Sequence, residues 1–181
     1  MAVCSDAIAA CPRGAPAISA IGIANQRETS VIWDRRASEP IYNAIVWQDR
    51  CTASVCATFQ DDECGDDIAE RTALVVDPYF SGTQVAWILD NVTGARELAS
   101  AGKLAFGTID TFLLWRLTSG KVHATDTTNA SRKMSFNIHT QAWDAYLLDI
   151  LNVPSSLLPD VRDSASDFGE TDPTLFGLSI P

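Results

Sequence analysis

Positive charge is scarce in this sequence: 13 lysines and arginines face 23 aspartates and glutamates, giving a net charge of −10 and a pI near 4.4. No basic cluster is larger than a pair such as Arg35-Arg36, so the electrostatic footprint of a nucleic-acid binder is missing. The five cysteines (Cys4, Cys11, Cys51, Cys56, Cys64) have no CxxC spacing, and His123 and His139 lie far from them. That excludes the usual zinc and redox motifs, and free thiols suit a reducing compartment. No stretch approaches the ~18 consecutive apolar residues of a membrane span, and residues 1–11 show no basic leader followed by an apolar core. A cytoplasmic protein with neither membrane nor nucleic-acid partner is predicted. Phosphate-binding patterns are also wanting. GxGxxG does not occur, and Gly102 and Gly107 have only the outer spacing of GxxxxGK[ST], with Thr108-Ile109 where Lys and Ser/Thr are required. GxSxG and HExxH are absent as well.

What is present is ordinary globular material, 46% hydrophobic and 20% charged over 181 residues, enough for one domain with a real core. Val3, Ala7, Ile8 and Cys11 recur at helical spacing before Pro12-Arg13-Gly14, which predicts an opening amphipathic helix in need of a partner surface. The last residues, Phe176 to Pro181, read as the approach to another strand without a polar tail. Both ends therefore read as cut. Between them, apolar runs predict strands at 18–25, 30–33 and 41–47, and a helical region follows over 52–72. After Asp77-Pro78, taken as a helix N-cap region, a strong helix runs through Val85, Ala86, Ile88, Leu89 and Val92 to Gly94. A short helix at 96–101, a strand at 104–108, a helix capped by Asp110 and closed by Gly120, a small strand at 121–124 and a helix at 144–151 complete the order. Helices alternating with short apolar strands predict an α/β domain.

The polar and aromatic residues Arg27, Glu28, Trp47, Gln48, Asp77 and Tyr79 fall at the predicted strand ends and helix starts, the edge where open α/β sheets bind ligands. By spacing alone Arg27-Glu28 reads as a solvated turn pair, and Trp47 as a core residue like Trp33, Trp87, Trp115 and Trp143.

The stretches IGIANQRETSVIWD (21–34), YNAIVWQDR (42–50), DPYFSGTQVAWILDN (77–91) and FGTIDTFLLWRLTSGKVHATDTTNASR (106–132), with FNIHT and Trp143-Asp144 beyond, together resemble the FGGY family of carbohydrate kinases. The resemblance runs from near Ile18 to the end. NQRET and YNAIVWQ favour the glycerol-phosphorylating branch over kinases of xylulose, ribulose or gluconate. It implies an actin-like, ribonuclease-H-like ATPase architecture of two α/β domains around a cleft, with glycerol on the first. It also implies ATP-dependent phosphorylation of glycerol to sn-glycerol 3-phosphate, with ATP and Mg²⁺ as cofactors. Arg27 and Glu28 match the family's adjacent pair that binds glycerol hydroxyls, Tyr79 matches a tyrosine that does the same, and Trp47 matches a tryptophan lining the hydrocarbon side. Arg supplies donors and Glu acceptors, so such a pair can bracket neighbouring hydroxyls of a small polyol.

The same resemblance implies missing parts: a D-Q-G-T-T strand and turn upstream, and downstream of Pro181 the Asp of a G-D-Q motif as catalytic base, then the nucleotide-binding domain. Residues 1–181 are accordingly expected to form an incomplete N-terminal, glycerol-binding domain without its first strands. It would bind ATP and Mg²⁺ poorly and have no kinase activity alone. The alternatives are a stand-alone, non-catalytic polyol-binding module or a piece of another FGGY sugar kinase; self-association is compatible with the complete protein. Gln84 stands where the family signature has lysine, with an expected effect on surface electrostatics rather than on glycerol.

Overall fold

Val31, Ile32 and Trp33 are β-branched or aromatic, the types that suit a pleated, buried ribbon. In the computed structural model, which describes residues 2–61 and 64–181, they begin β1 (Val31–Asp34), paired antiparallel with β2 (Leu104–Gly107). Alternation along the two strands divides the core. Ile32, Leu104 and Phe106 face a large cluster containing Ile88, Leu89 and Leu147, whereas Val31, Trp33 and Ala105 face a smaller one closed by Trp115. The turn after β1 is built locally: the Asp34 carboxylate accepts from the amides of Arg36 (2.8 Å) and Ala37 (2.7 Å). Trp115 Nε1 then donates to Ser38 Oγ at 3.0 Å, so the turn is fastened to the helix that follows β2.

The helices predicted from periodicity are found. They are α1 (Ala2–Ala9), α2 (Ala53–Asp61), α3 (Cys64–Thr72), α4 (Ser81–Asn91), α5 (Ala95–Ser100) and α6 (Ile109–Leu117). Positions 62 and 63 of the predicted helical region lie outside the described residues. Then come β3 (Ala124–Asp126), α7 (Thr127–Ala130), β4 (Phe136–Asn137), β5 (Ala142–Trp143), α8 (Ala145–Ile150), β6 (Asp160–Arg162) and α9 (Pro173–Phe176). β3 pairs parallel with β6, and β4 antiparallel with β5. Asp144 caps α8, accepting from Tyr146 N at 2.9 Å and Leu147 N at 3.2 Å, while Arg71 Nη1 holds its second oxygen at 3.0 Å. α1 forms as periodicity predicts, yet none of its residues is buried.

Two predicted strands do not form. Residues 18–25 run without regular structure, with Ile18 N donating back to Ala15 O at 3.0 Å and Ile21 N donating to Pro181 O at 2.7 Å. A strand needs a neighbour to complete its ladder, and among the described residues no strand pairs with this run. Residues 41–47 form no strand; two isolated bridges, Ser30 with Ile45 and Trp33 with Pro40, join this region to β1 and the residue before it. Pro40 has no N–H to give to a ladder. Strands thus do not dominate the first third of the chain. Two caps also differ from expectation. Asp77 accepts from Tyr79 N at 2.8 Å ahead of α4, whose N-cap is Phe80. Asp110 lies inside the first turn of α6 behind its N-cap Thr108.

His123 ties the β1–β2 ribbon to β3. Burial, aided by the Arg35 charge, brings its pKa down to about 4 despite the bond to Phe106 O. It is therefore neutral at pH 7, with Nε2–H donating to Phe106 O at 2.8 Å and Nδ1 accepting from Arg35 Nη2 at 3.1 Å. Between pH 6.5 and 4 the unfolded chain binds the proton and the folded chain does not, so stability rises with pH across that window. Acidification from pH 6.5 to 4 is expected to remove on the order of 2–3 kcal/mol. His123→Gln, which keeps a donor and an acceptor, is expected to flatten the slope in urea titrations at successive pH values. An unchanged slope would remove His123 as its source.

Candidate functional site

The Arg27-Glu28 turn separates its two side chains. Arg27 is exposed and lines an open cleft of about 660 Å³, together with Asn25, Asp110, Asp126 and the apolar edge of residues 20–24. Glu28 turns inward, only 4% exposed, and its Oε1 accepts from Arg132 Nε at 3.1 Å. The reading of a solvated pair therefore fails for Glu28, since a buried carboxylate is retained where an opposite charge and hydrogen bonds meet it.

Arg132 carries the contact on to the aromatic residues. Its guanidinium lies 4.9 Å from the Phe80 ring centroid and 6.0 Å from that of Tyr79, within cation–π reach. Tyr79 is half-buried and packs against Trp47, their ring centroids 5.8 Å apart. Trp47 is 44% exposed, so it is not the core residue that spacing suggested. Trp33 and Trp115 are core, and Trp87 and Trp143 are half-buried. Glu28 and Tyr79 are thus linked through Arg132, with Trp47 against Tyr79, whereas Arg27 lines the cleft, whose walls include none of those residues. Gln48 is exposed, and Asp77 orders the turn in front of Tyr79.

Gln84 corrects a second expectation. It is fully buried rather than on the surface, its Oε1 accepting from Ser30 Oγ at 2.7 Å and its Nε2 donating to Pro78 O at 3.0 Å. It links the segment after Glu28 to the loop carrying Tyr79, and its effect is on packing of the site.

Lys133 is also buried. Its ammonium donates to Arg27 O at 3.0 Å and Thr108 Oγ1 at 2.9 Å. Burial brings its pKa down to about 8, against the upward pull of Asp110, Glu28 and Asp126. Asp110 collects four donors: Asn25 Nδ2 at 2.9 Å, Thr108 Oγ1 at 2.5 Å, Thr125 Oγ1 at 2.7 Å and Thr111 Oγ1 at 3.3 Å. Sequence reasoning passed over Arg132, Lys133 and the tertiary role of Asp110. Adjacent cations following a short polar helix look like a solvated end, and the one available signal was that Met134 and Phe136 continue at once into apolar sequence.

Chemically the arrangement offers a carboxylate acceptor, guanidinium donors and a half-exposed aromatic wall, which fits a small polyhydroxylated molecule. Gly107, the nearest approach to a phosphate loop, has its open face filled by Thr111, whose Cβ would stand 2.3 Å from an added Cβ. Among the described residues no three His, Cys, Asp or Glu side chains gather as a metal site. No helix described is long and apolar enough to cross a membrane.

A family model for the FGGY family of carbohydrate kinases, N-terminal domain, matches residues 2–179. A glycerol kinase of Bradyrhizobium diazoefficiens is 59% identical over 178 residues, 98% of this chain and 36% of that protein. One of Alcanivorax borkumensis is 56% identical over 181 residues, 100% of this chain and 36% of that protein. The crystal structure of Plasmodium falciparum glycerol kinase with ADP superposes with a TM-score of 0.84 at 35% identity, covering 90% of this chain and 33% of that one. The fold extends to a Brucella ovis kinase, TM-score 0.81 at 18% identity over 97% of this chain and 35% of that one. The chain spans about a third of the length of these curated relatives, 36% for both glycerol kinases.

Proposed function

Since this chain belongs to the FGGY family of carbohydrate kinases and is similar over nearly all its length to the N-terminal third of glycerol kinases, we propose that it forms the glycerol-binding part of such an enzyme. In this reading residues 1–181 are an incomplete N-terminal domain. The complete protein would transfer the γ-phosphoryl group of Mg²⁺-bound ATP to glycerol in the cytoplasm, giving sn-glycerol 3-phosphate. ATP and Mg²⁺ would be held by parts outside this chain, whose own residues bind and orient the acceptor.

The observation that supports it best is the buried Glu28–Arg132 ion pair beside the half-exposed Tyr79–Trp47 wall. Glu28 would accept from one hydroxyl, Arg27 and the Tyr79 hydroxyl would donate to others, and Trp47 would cover the carbon chain. A triol completes the hydrogen bonds of such groups. An analogue lacking a hydroxyl leaves one buried and unpaired, at about 1–3 kcal/mol.

The test is calorimetric titration of glycerol into the purified chain, after circular dichroism has established that it is folded, with Arg27→Ala alongside. Measurable affinity reduced at least about tenfold in Arg27→Ala is expected, as for loss of one charge-assisted hydrogen bond. A folded chain that ignores glycerol, or binds it equally without Arg27, would overturn the assignment.

A further inference from the structure

We propose that the adjacent cations Arg132 and Lys133 are positioning residues for Arg27-Glu28, Arg132 through the Glu28 carboxylate and Lys133 through the Arg27 main-chain carbonyl. The inference rests on the reading of that pair as the glycerol site. Residues 18–25 enter the pair without a strand ladder, so the place of the pair in space must be set from elsewhere. α7 ends at Ala130, and a tight turn follows in which Arg132 N donates to Asn129 O at 3.2 Å and Lys133 N to Ala130 O at 3.0 Å. Successive side chains consequently leave in different directions: Arg132 is half-buried against Phe80, Lys133 is buried, and Met134 enters the main core.

Two anchors fix the approach to the pair. Lys133 Nζ holds Arg27 O and also Thr108 Oγ1; Thr108 in turn donates to Asp110, and Asp110 accepts from Asn25 Nδ2. Both Asn25 and Arg27 are thereby attached to the start of α6. A buried ammonium is costly unless its donors are used, and here one is used on the Arg27 carbonyl, in the irregular segment that carries the site, and another on Thr108 Oγ1. The third element joins through Gly82, where an added Cβ would stand 2.8 Å from Lys133 O. The start of α4, just after Tyr79 and Phe80, therefore rests on the same residue. Arg132 and Lys133 set the distance between the Glu28 carboxylate and the aromatic wall.

Two measurements on the full 181-residue chain test this. In ligand-free Lys133→Met, amide hydrogen exchange at Glu28 and Thr29 is expected to be at least about tenfold faster, with β1–β2 amides unchanged. Arg132 is half-exposed, and Gln at its place can still donate to Glu28, so Arg132→Gln is expected to fold; it is expected to weaken glycerol about tenfold while weakening propane-1,2-diol less, so that the preference between them shrinks. Arg132→Lys is expected to restore part of the preference. A merely structural role would lower both affinities alike. An unchanged preference in Arg132→Gln overturns the role of Arg132, and unchanged exchange in Lys133→Met overturns that of Lys133. If the unsubstituted chain fails to bind glycerol, the glycerol reading falls and the role of Arg132 in selectivity falls with it, whereas exchange still decides whether Lys133 holds the segment.

Discussion

Trp33→Ala is expected to destabilise the chain by about 3–5 kcal/mol, the range for removing a fully buried large aromatic side chain. Trp33 has no solvent exposure, and its ring meets those of Phe112 at 5.2 Å, His123 at 5.5 Å and Trp115 at 5.9 Å. It is the centre of the smaller cluster between the β1–β2 ribbon and α6. Its indole Nε1 is buried without a hydrogen-bond partner among the described residues, which costs about 1–3 kcal/mol. Trp33→Phe deletes that donor together with part of the ring. The two effects oppose each other, and a loss below about 1.5 kcal/mol is expected. Urea midpoints of the two variants check this. A phenylalanine variant as unstable as the alanine variant would show that removing the unpaired Nε1–H brings no gain and that the retained ring does not replace the indole.

Glu28→Ala is expected to reduce glycerol affinity by about two orders of magnitude, since it removes a charged acceptor from a site whose neighbouring donors stay in place. The same change frees the guanidinium of Arg132. A fully buried cation left unpaired would cost about 3–5 kcal/mol, but the Arg132 side chain is 32% exposed, and solvent reduces the expected loss of stability to about 1 kcal/mol. The effect on binding is therefore expected to exceed that on folding. Glu28→Gln retains shape and one acceptor oxygen while losing the charge, and is expected to fall between. Calorimetry with glycerol and thermal unfolding of each variant separate the two quantities. Full affinity in Glu28→Ala would place the hydroxyl acceptor elsewhere.

The helices were legible because their signals are local. Val85, Ile88 and Leu89 recur at the helical period within α4 and Val92 caps its end, and Asp144 stands one residue ahead of α8 with a side chain able to cap it. β1 and β2 were legible for the same reason, being short apolar runs between turn residues. The residues 18–25 have equally good strand composition, but pairing is a property of two segments, and composition reports only one of them.

By itself, then, the sequence determined the α/β class, most helices, the two strands of the central ribbon and, through its resemblance, the family; it nominated Arg27, Glu28, Trp47 and Tyr79 for the glycerol site. Only the tertiary structure decided that Glu28 is buried while Arg27 is exposed, that Gln84 is an internal bridge, and that Arg132 and Lys133 hold the pair. The physical reason is separation along the chain: Glu28 and Arg132 are 104 residues apart and Ser30 and Gln84 are 54 apart. Whether a charged or amide side chain is solvated or enclosed depends on partners that meet it only after the core has closed. Local periodicity carries no record of them.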